Sequence, residues 1–327
     1  MLTAGGLRVG VIGATDYYPQ YDSFGLAERG RVTAVRREAD LLRAQGADVV
    51  ILLSHCGIHH DRGLSWALRG KVDLVVGGHT HDVLTEGERA HGIPIAQAGC
   101  HAEYLGRVTL EVDDDGARVV STTLEPVAED APEDPAVAAE LAACERDLEV
   151  WLAEPVGSLD SAVGCSHEGE SDVANLAAEA LLTHRAGDLA VLIAAQCTAG
   201  LPKGEVTRGD VWTATSSPAN PATATLLGSE LRTMITKGLS PAYASTVSRT
   251  FRGRPYGYLH LAGARVEDGQ ITVAGVPLED DRRYKVTGTD TELSSYGLLL
   301  AEDPADLEIH TPTILPELLE SYLAGHS

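Results

Sequence analysis

No apolar run in the 327 residues approaches the roughly 20 needed to cross a bilayer, so the chain does not read as a membrane protein. Basic residues are scarce, 25 against 48 acidic ones, for a formal charge of −23. Phosphate-backbone binding needs a basic face, and this balance excludes nucleic acid as a partner. The five cysteines (Cys56, Cys100, Cys144, Cys165, Cys197) are odd in number, scattered and without a C-x-x-C pair, which excludes a disulfide framework and suits a reducing compartment. The N-terminus "MLTAGGLRVGVIG" has neither a basic n-region nor a long apolar h-region, so it does not read as a signal peptide. A cytoplasmic location follows as the expectation, with a secreted or periplasmic one if a signal segment precedes this start. The chain also lacks internal repeats and low-complexity tracts.

What remains is a soluble composition, 44% hydrophobic and 22% charged, long enough for two domains with separate cores. "LRVGVIG" (7–13) and "ADVVILLS" (47–54) are short, β-branched and apolar on both faces, as buried strands are. Between them "VTAVRREADLLRAQG" has helical spacing and stops at Gly46. "DRGLSWALRG" predicts a short helix and "VDLVVGG" the next strand. "GIPIAQAG" and "EYLGRVTLEVDDDGARVVSTTLEPV" predict further strands, with a turn at 114–116. The Asp113–Gly116 run, which has the look of a calcium loop, is expected to be that hairpin turn. The acidic, Pro- and Ala-rich stretch from Glu129 reads as a linker, leading into a bridging helix, "AVAAELAACERDLEVWLAEP". Beyond it lie a helix, "SDVANLAAEALLTHRAG", a strand, "DLAVLIAA", and another helix, "GSELRTMITKGL". The arginines from Arg249 to Arg254 read as a solvated loop.

Chemistry concentrates in "VVILLSHCGIHHDRGLSWALRGKVDLVVGGHTH" (49–81). His55 follows one strand, and His79 and His81 follow another. Ligands gather at the carboxyl ends of strands in α/β sheets, so two adjacent strands ending in histidine aim imidazoles into one crevice. Gly77 and Gly78 permit a tight turn there. A small anionic substrate meets repulsion from the mean charge of −23 and needs a local positive centre such as a metal. His59, His60, Asp61, His91, Cys100 and His101 are accessory candidates, with His59 and His60 expected on an exposed loop and Cys56 as a small buried residue.

Residues 47–81 closely resemble the later half of the catalytic domain of the 5′-nucleotidase family, two-domain enzymes of the calcineurin-like metallophosphoesterase superfamily. The resemblance rests on Ser54-His55-Cys56-Gly57, on Asp61, and on Asp73 through His81. It continues in "GIPIAQAGCHAEYLGRVTLEVD" and, more weakly, in "GESDVANLAAEAL", "PKGEVTRGDVW" and "VPLEDDRRYKVTGTDTELSSYG". It implies an α/β (α+β) fold: a partial metallophosphoesterase-type β-sandwich flanked by helices, plus a C-terminal 5′-nucleotidase-type α/β domain. The expected divisions are 1–128, a linker and bridging helix at 129–155, and 156–327.

The resemblance further implies hydrolysis of a phosphomonoester or nucleotide by water activated between divalent ions such as zinc or manganese, with His55 and His79 on one ion and His81 on the other. The family's other ligands come from D-x-H, G-D and G-N-H-[DE] motifs. This chain has no D-x-H, and its asparagines are Asn175 and Asn220 alone. The expectation is therefore that the N-terminal half of the catalytic domain is missing and that an upstream segment, a complementary chain or a homo-oligomer completes the site. Where the family carries N-x-G-G-I-R and P-F-x-N, this chain has "AAQCTAGLPKG" and "TSSPANPATA", which removes the expected arginine and aromatic. Two alternatives stand beside the phosphoesterase: a non-catalytic interaction homologue, and a mononuclear hydrolase built on three histidines.

Overall fold

The computed structural model describes residues 1–18, 21, 24–114, 116–247 and 254–325, in two compact units, Met1–Pro132 and Glu133–Ser327. Arg249 and Arg252, from the arginine loop, lie outside the described residues.

The first unit runs β1 (Leu2–Ala4), β2 (Leu7–Thr15), α1 (Arg31–Ala44), β3 (Val49–His55), α2 (Ile58–Ala67), β4 (Leu74–Val76), β5 (Glu88–Ala90), β6 (Ile93–Ala96), β7 (Tyr104–Asp113) and β8 (Gly116–Pro126). Strands β1 to β6 form one sheet in the order β1-β2-β3-β4-β6-β5. Its four inner strands are parallel and its two edges antiparallel. Helix α1 ends where expected: Gly46, at φ 86°, takes the left-handed conformation that closes the helix, and a β-carbon there would lie 2.6 Å from an Arg8 guanidinium nitrogen.

Side chains alternate across each strand. Ile12, Val50, Leu52, Val75 and Ile95 point to one face and pack with Val35 and Ala39 of α1 and Ile58 and Leu64 of α2. The next residues along β3 turn to the other face, which is thinly covered, and Leu53 there is 48% exposed. Among the described residues strands β7 and β8 pair with each other alone, and Asp113 lies opposite Gly116 where the two strands join, as a hairpin requires; Asp115 of the aspartate run lies outside the described residues.

Helix α2 starts earlier than its sequence suggests, at Ile58, so His59 and His60 are exposed residues of its first turn and not of a loop. The reason is tertiary: the Thr80 hydroxyl, 22 positions away, accepts the Ile58 N–H at 3.1 Å and supplies the cap that Gly57 lacks.

The second unit opens with α3 (Pro135–Leu152), capped by Asp134, whose carboxylate accepts from the N–H groups of Ala136 and Val137. There follow β9 (Pro155–Leu159), α4 (Asp172–His184), β10 (Leu189–Ile193), β11 (Gly204–Thr207), α5 (Arg208–Ala214), β12 (Pro221–Leu227), α6 (Gly228–Gly238), α7 (Pro241–Ala244), β13 (Leu259–Ala262), β14 (Ala264–Glu267), β15 (Gln270–Val273), β16 (Val276–Pro277), β17 (Arg283–Thr289), β18 (Glu308–Ile309) and α8 (Leu315–Gly325). The main sheet has the order β13-β10-β17-β12-β18. Strand β10 is buried on both sides: Val191 and Ile193 sink into one core with α6, Ala190 and Leu192 into another with α4 and α8. No helix among the described residues is long and apolar enough to cross a membrane.

Candidate functional site

Strands β3 and β4 run parallel with Leu53 beside Val76, so the segments leaving them, Ser54 to Gly57 and Gly77 to His81, emerge at the same carboxyl edge. Strand β2 ends there too, with Thr15 beside His55. The alternation that buries Ser54 sends His55 to the open side.

Little room is left for a side chain at the first step after β4. A β-carbon on Gly77 would lie 2.7 Å from an Asp61 carboxylate oxygen and 3.3 Å from the end of the Gln97 side-chain amide. The chain then turns on His79 (φ 74°) and His81 (φ 57°), both left-handed, a conformation that side chains other than glycine adopt at a cost and that concentrates at functional sites. With its amide oriented to satisfy both ends, the Gln97 side chain accepts the N–H groups of His81 and Asp82 at 3.0 Å each and holds this turn from below.

The histidines fall into two pairs. The rings of His55 and His79 have centroids 5.1 Å apart, and those of His81 and His101 lie 6.2 Å apart. Tyr18, from the segment after β2, sets its hydroxyl 3.4 Å from His79 Nε2. Burial and the neighbouring His55 push the His79 imidazole below its ordinary pKa, while the Asp16 carboxylate pulls the other way. The neutral imidazole, the form able to ligate an ion or accept a proton, is the favoured one.

Asp61 is fully buried behind the turn. One of its oxygens accepts from the Ser54 hydroxyl, and the other has no hydrogen-bond partner among the described residues. Burial raises its carboxyl above the ordinary range against the opposing Ser54 bond. It therefore supports the loop from inside and faces no crevice. His59 and His60 lie on α2, where His60 Nδ1 is 2.9 Å from the Cys56 carbonyl and 3.7 Å from Asp16. His91 sits in the β5–β6 turn, at the amino end of β6 and so on the opposite edge of the sheet.

The sequence reading missed Asp16. It stands one residue past β2, forms a 2.9 Å ion pair with Arg31 at the start of α1, and exerts its field on His79. It comes to the site because the parallel register sets Thr15, the last residue of β2, beside His55.

Among the described residues no group of three or more His, Cys, Asp or Glu side chains is placed to share an ion. Two imidazole pairs fall short of the three protein ligands that a catalytic zinc takes, so these donors do not make up a metal centre by themselves.

In the second unit the run after β10 is knit into the core. Gln196 donates to Thr289 Oγ1 at 3.1 Å and to the fully buried Glu292 at 3.0 Å, and Ser217 donates to the Gln196 side-chain oxygen. All five cysteines are free thiols.

Residues 155–297 match the family described as 5′-nucleotidase, C-terminal domain. A metallophosphoesterase of Bacillus subtilis, YunD, itself uncharacterized, is 28% identical over 334 residues, spanning 98% of this chain and 72% of that protein. An apyrase of Aedes aegypti is 31% identical over 144 residues, 35% of this chain and a quarter of its own length. Among solved structures, a Staphylococcus aureus protein assigned as a 5′-nucleotidase superposes with a TM-score of 0.72 at 18% identity, over 99% of this chain and 71% of that one. That likeness shows the two-domain α/β fold. Together the matches support the 5′-nucleotidase family, whose members here carry names of phosphoester hydrolases.

Proposed function

We propose that the chain is a divergent phosphoesterase of the 5′-nucleotidase type, acting on a phosphomonoester or nucleotide in a metal-dependent hydrolysis. The observation that carries this reading is the convergence of His55 and His79 at the shared carboxyl edge of β3 and β4, the place where α/β sheets bind ligands. Two of the chain's own devices support it: glycines that leave no room for side chains beneath the turn, and a buried Gln97 that fixes the His81 backbone. Because these donors are too few, the reading includes further ligands from a partner chain, a second copy or an upstream segment. The half-exposed face of β3, at Leu53, is where such a piece would pack.

The test is metal stoichiometry by elemental analysis after dialysis and after reloading with zinc or manganese, together with turnover of a panel of phosphomonoesters and nucleotides. Bound metal and turnover, both lost in His79→Ala, support the reading. A folded protein that binds no metal at any loading and hydrolyses nothing overturns it for this chain by itself and as a homo-oligomer. The second reading, a non-catalytic relative, is favoured by the shortage of clustered donors among the described residues, and that negative result is what it expects.

A further inference from the structure

Three of the chain's ten tyrosines fall within five residues: Tyr17, Tyr18 and Tyr21. Their rings are not scattered. Tyr21 stands edge-on to Tyr17 (centroids 6.0 Å apart) and to Tyr18 (5.7 Å), Tyr18 stands edge-on to His79 (6.4 Å), and His79 to His55 (5.1 Å). Five rings thus run in file from the histidine pair to a cavity of about 290 Å³ between the end of β2 and the start of α1. Ala14, Tyr17, Tyr21, Leu26 and Val35 give it apolar walls, and Leu26 is exposed. The charged residues Asp16, Glu28, Arg29 and Arg31 line the rest of the cavity, where Arg31 pairs with Asp16 at 2.9 Å.

We infer that this cavity is a binding site for a planar aromatic ring, seating the organic group of a substrate whose anionic end faces His79. The volume, at the low end of small-molecule sites, takes one ring system and excludes a polymer or a second nucleotide. Aromatic walls favour a flat ring set edge-on or offset against them. The placement of the anionic end rests on the phosphoester reading; the ring site itself rests on the cavity and the file of rings.

The test uses non-hydrolysable probes, benzylphosphonate and methylphosphonate, titrated calorimetrically into the full chain. Benzylphosphonate is expected to bind about tenfold more tightly than methylphosphonate. Tyr21→Ala and, independently, Leu26→Asp should erase that preference while leaving methylphosphonate binding unchanged, and Tyr21→Phe should keep it. Equal affinities for the two probes in the unaltered chain, or a preference that survives both Tyr21→Ala and Leu26→Asp, overturns the ring site. Tyr21-dependent ring binding in a protein that hydrolyses no phosphoester upholds the ring site and separates it from the phosphoesterase reading, which then fails alone.

Discussion

Strand β3, "VVILLSH", and strand β10, "LAVLI", are alike in composition and both lie inside a sheet with a parallel neighbour, yet they meet different surroundings. Every residue of β10 is buried, its alternating side chains feeding two cores. Strand β3 feeds one core with Val50 and Leu52 and offers Leu53 and His55 to a side that stays open. The difference lies in what covers the strand, not in the strand. In the second unit helices close both faces. In the first, α1 and α2 close one, and the chemistry collects at the uncovered end.

The largest expected effect tests that contrast directly. Leu192→Ala in β10 should cost about 3 kcal/mol in denaturant unfolding, the usual cost of a leucine cavity in a closed core. Leu53→Ala in β3 should cost under about 1 kcal/mol, since about half of that side chain is already in water. Equal costs would break the comparison and mean that a second copy or another chain covers the β3 face in solution.

Part of this was legible in the residues. The β2-α1-β3 succession follows from two β-branched runs around a helical period that ends on Gly46, and the histidine turn follows from G-G-H-T-H after an apolar strand. What escaped was set at a distance. Helix α2 begins at Ile58 because Thr80 caps it, and no local signal marks that. Strand β5, Glu88–Ala90, is too short and too polar to show a period. Asp16 and the tyrosines reach the site because the register places Thr15 beside His55, although 40 positions separate them. The pairing of His55 with His79 and of His81 with His101 likewise depends on loop geometry that spacing alone does not fix.

A second expected effect concerns how each unit holds a buried carboxyl. Glu292 is fully buried and accepts from Ile193 N, Gln196 Nε2, Thr289 N and Thr289 Oγ1. Burial nevertheless outweighs these donors and raises its carboxyl above the ordinary value of 4.5. Between 4.5 and that raised value the folded state holds the proton more firmly than the unfolded chain does, so this group's contribution to stability is present at low pH and is lost as pH rises through the raised value. Glu292→Gln should flatten that loss and cost about 2 kcal/mol at low pH, because its amide nitrogen faces donors. Stability curves from pH 4 to 8 check both statements; an unchanged slope in the variant would show that Glu292 titrates as it does in the unfolded chain.

Asp61 is the counterpart in the first unit, with a donor from Ser54 on one oxygen and the other unmatched among the described residues. Gly77 lies against it, and an added β-carbon there would sit 2.7 Å from that unmatched oxygen. Gly77→Ala should therefore cost about 1 to 2 kcal/mol and displace the histidine turn, as overpacked sites do. If the clash is with Asp61 itself, Asp61→Ser should remove most of it, so that the double variant is less destabilised than the sum of the singles by at least about 0.5 kcal/mol. Additive costs would place the strain in the backbone of the turn. The same four proteins, compared for the ring-proton shifts of His55 and His79, separate a loosened turn from a merely weakened fold. Shifts that move in Gly77→Ala and return in the double variant tie the glycine to the histidine geometry, and shifts that never move sever that tie.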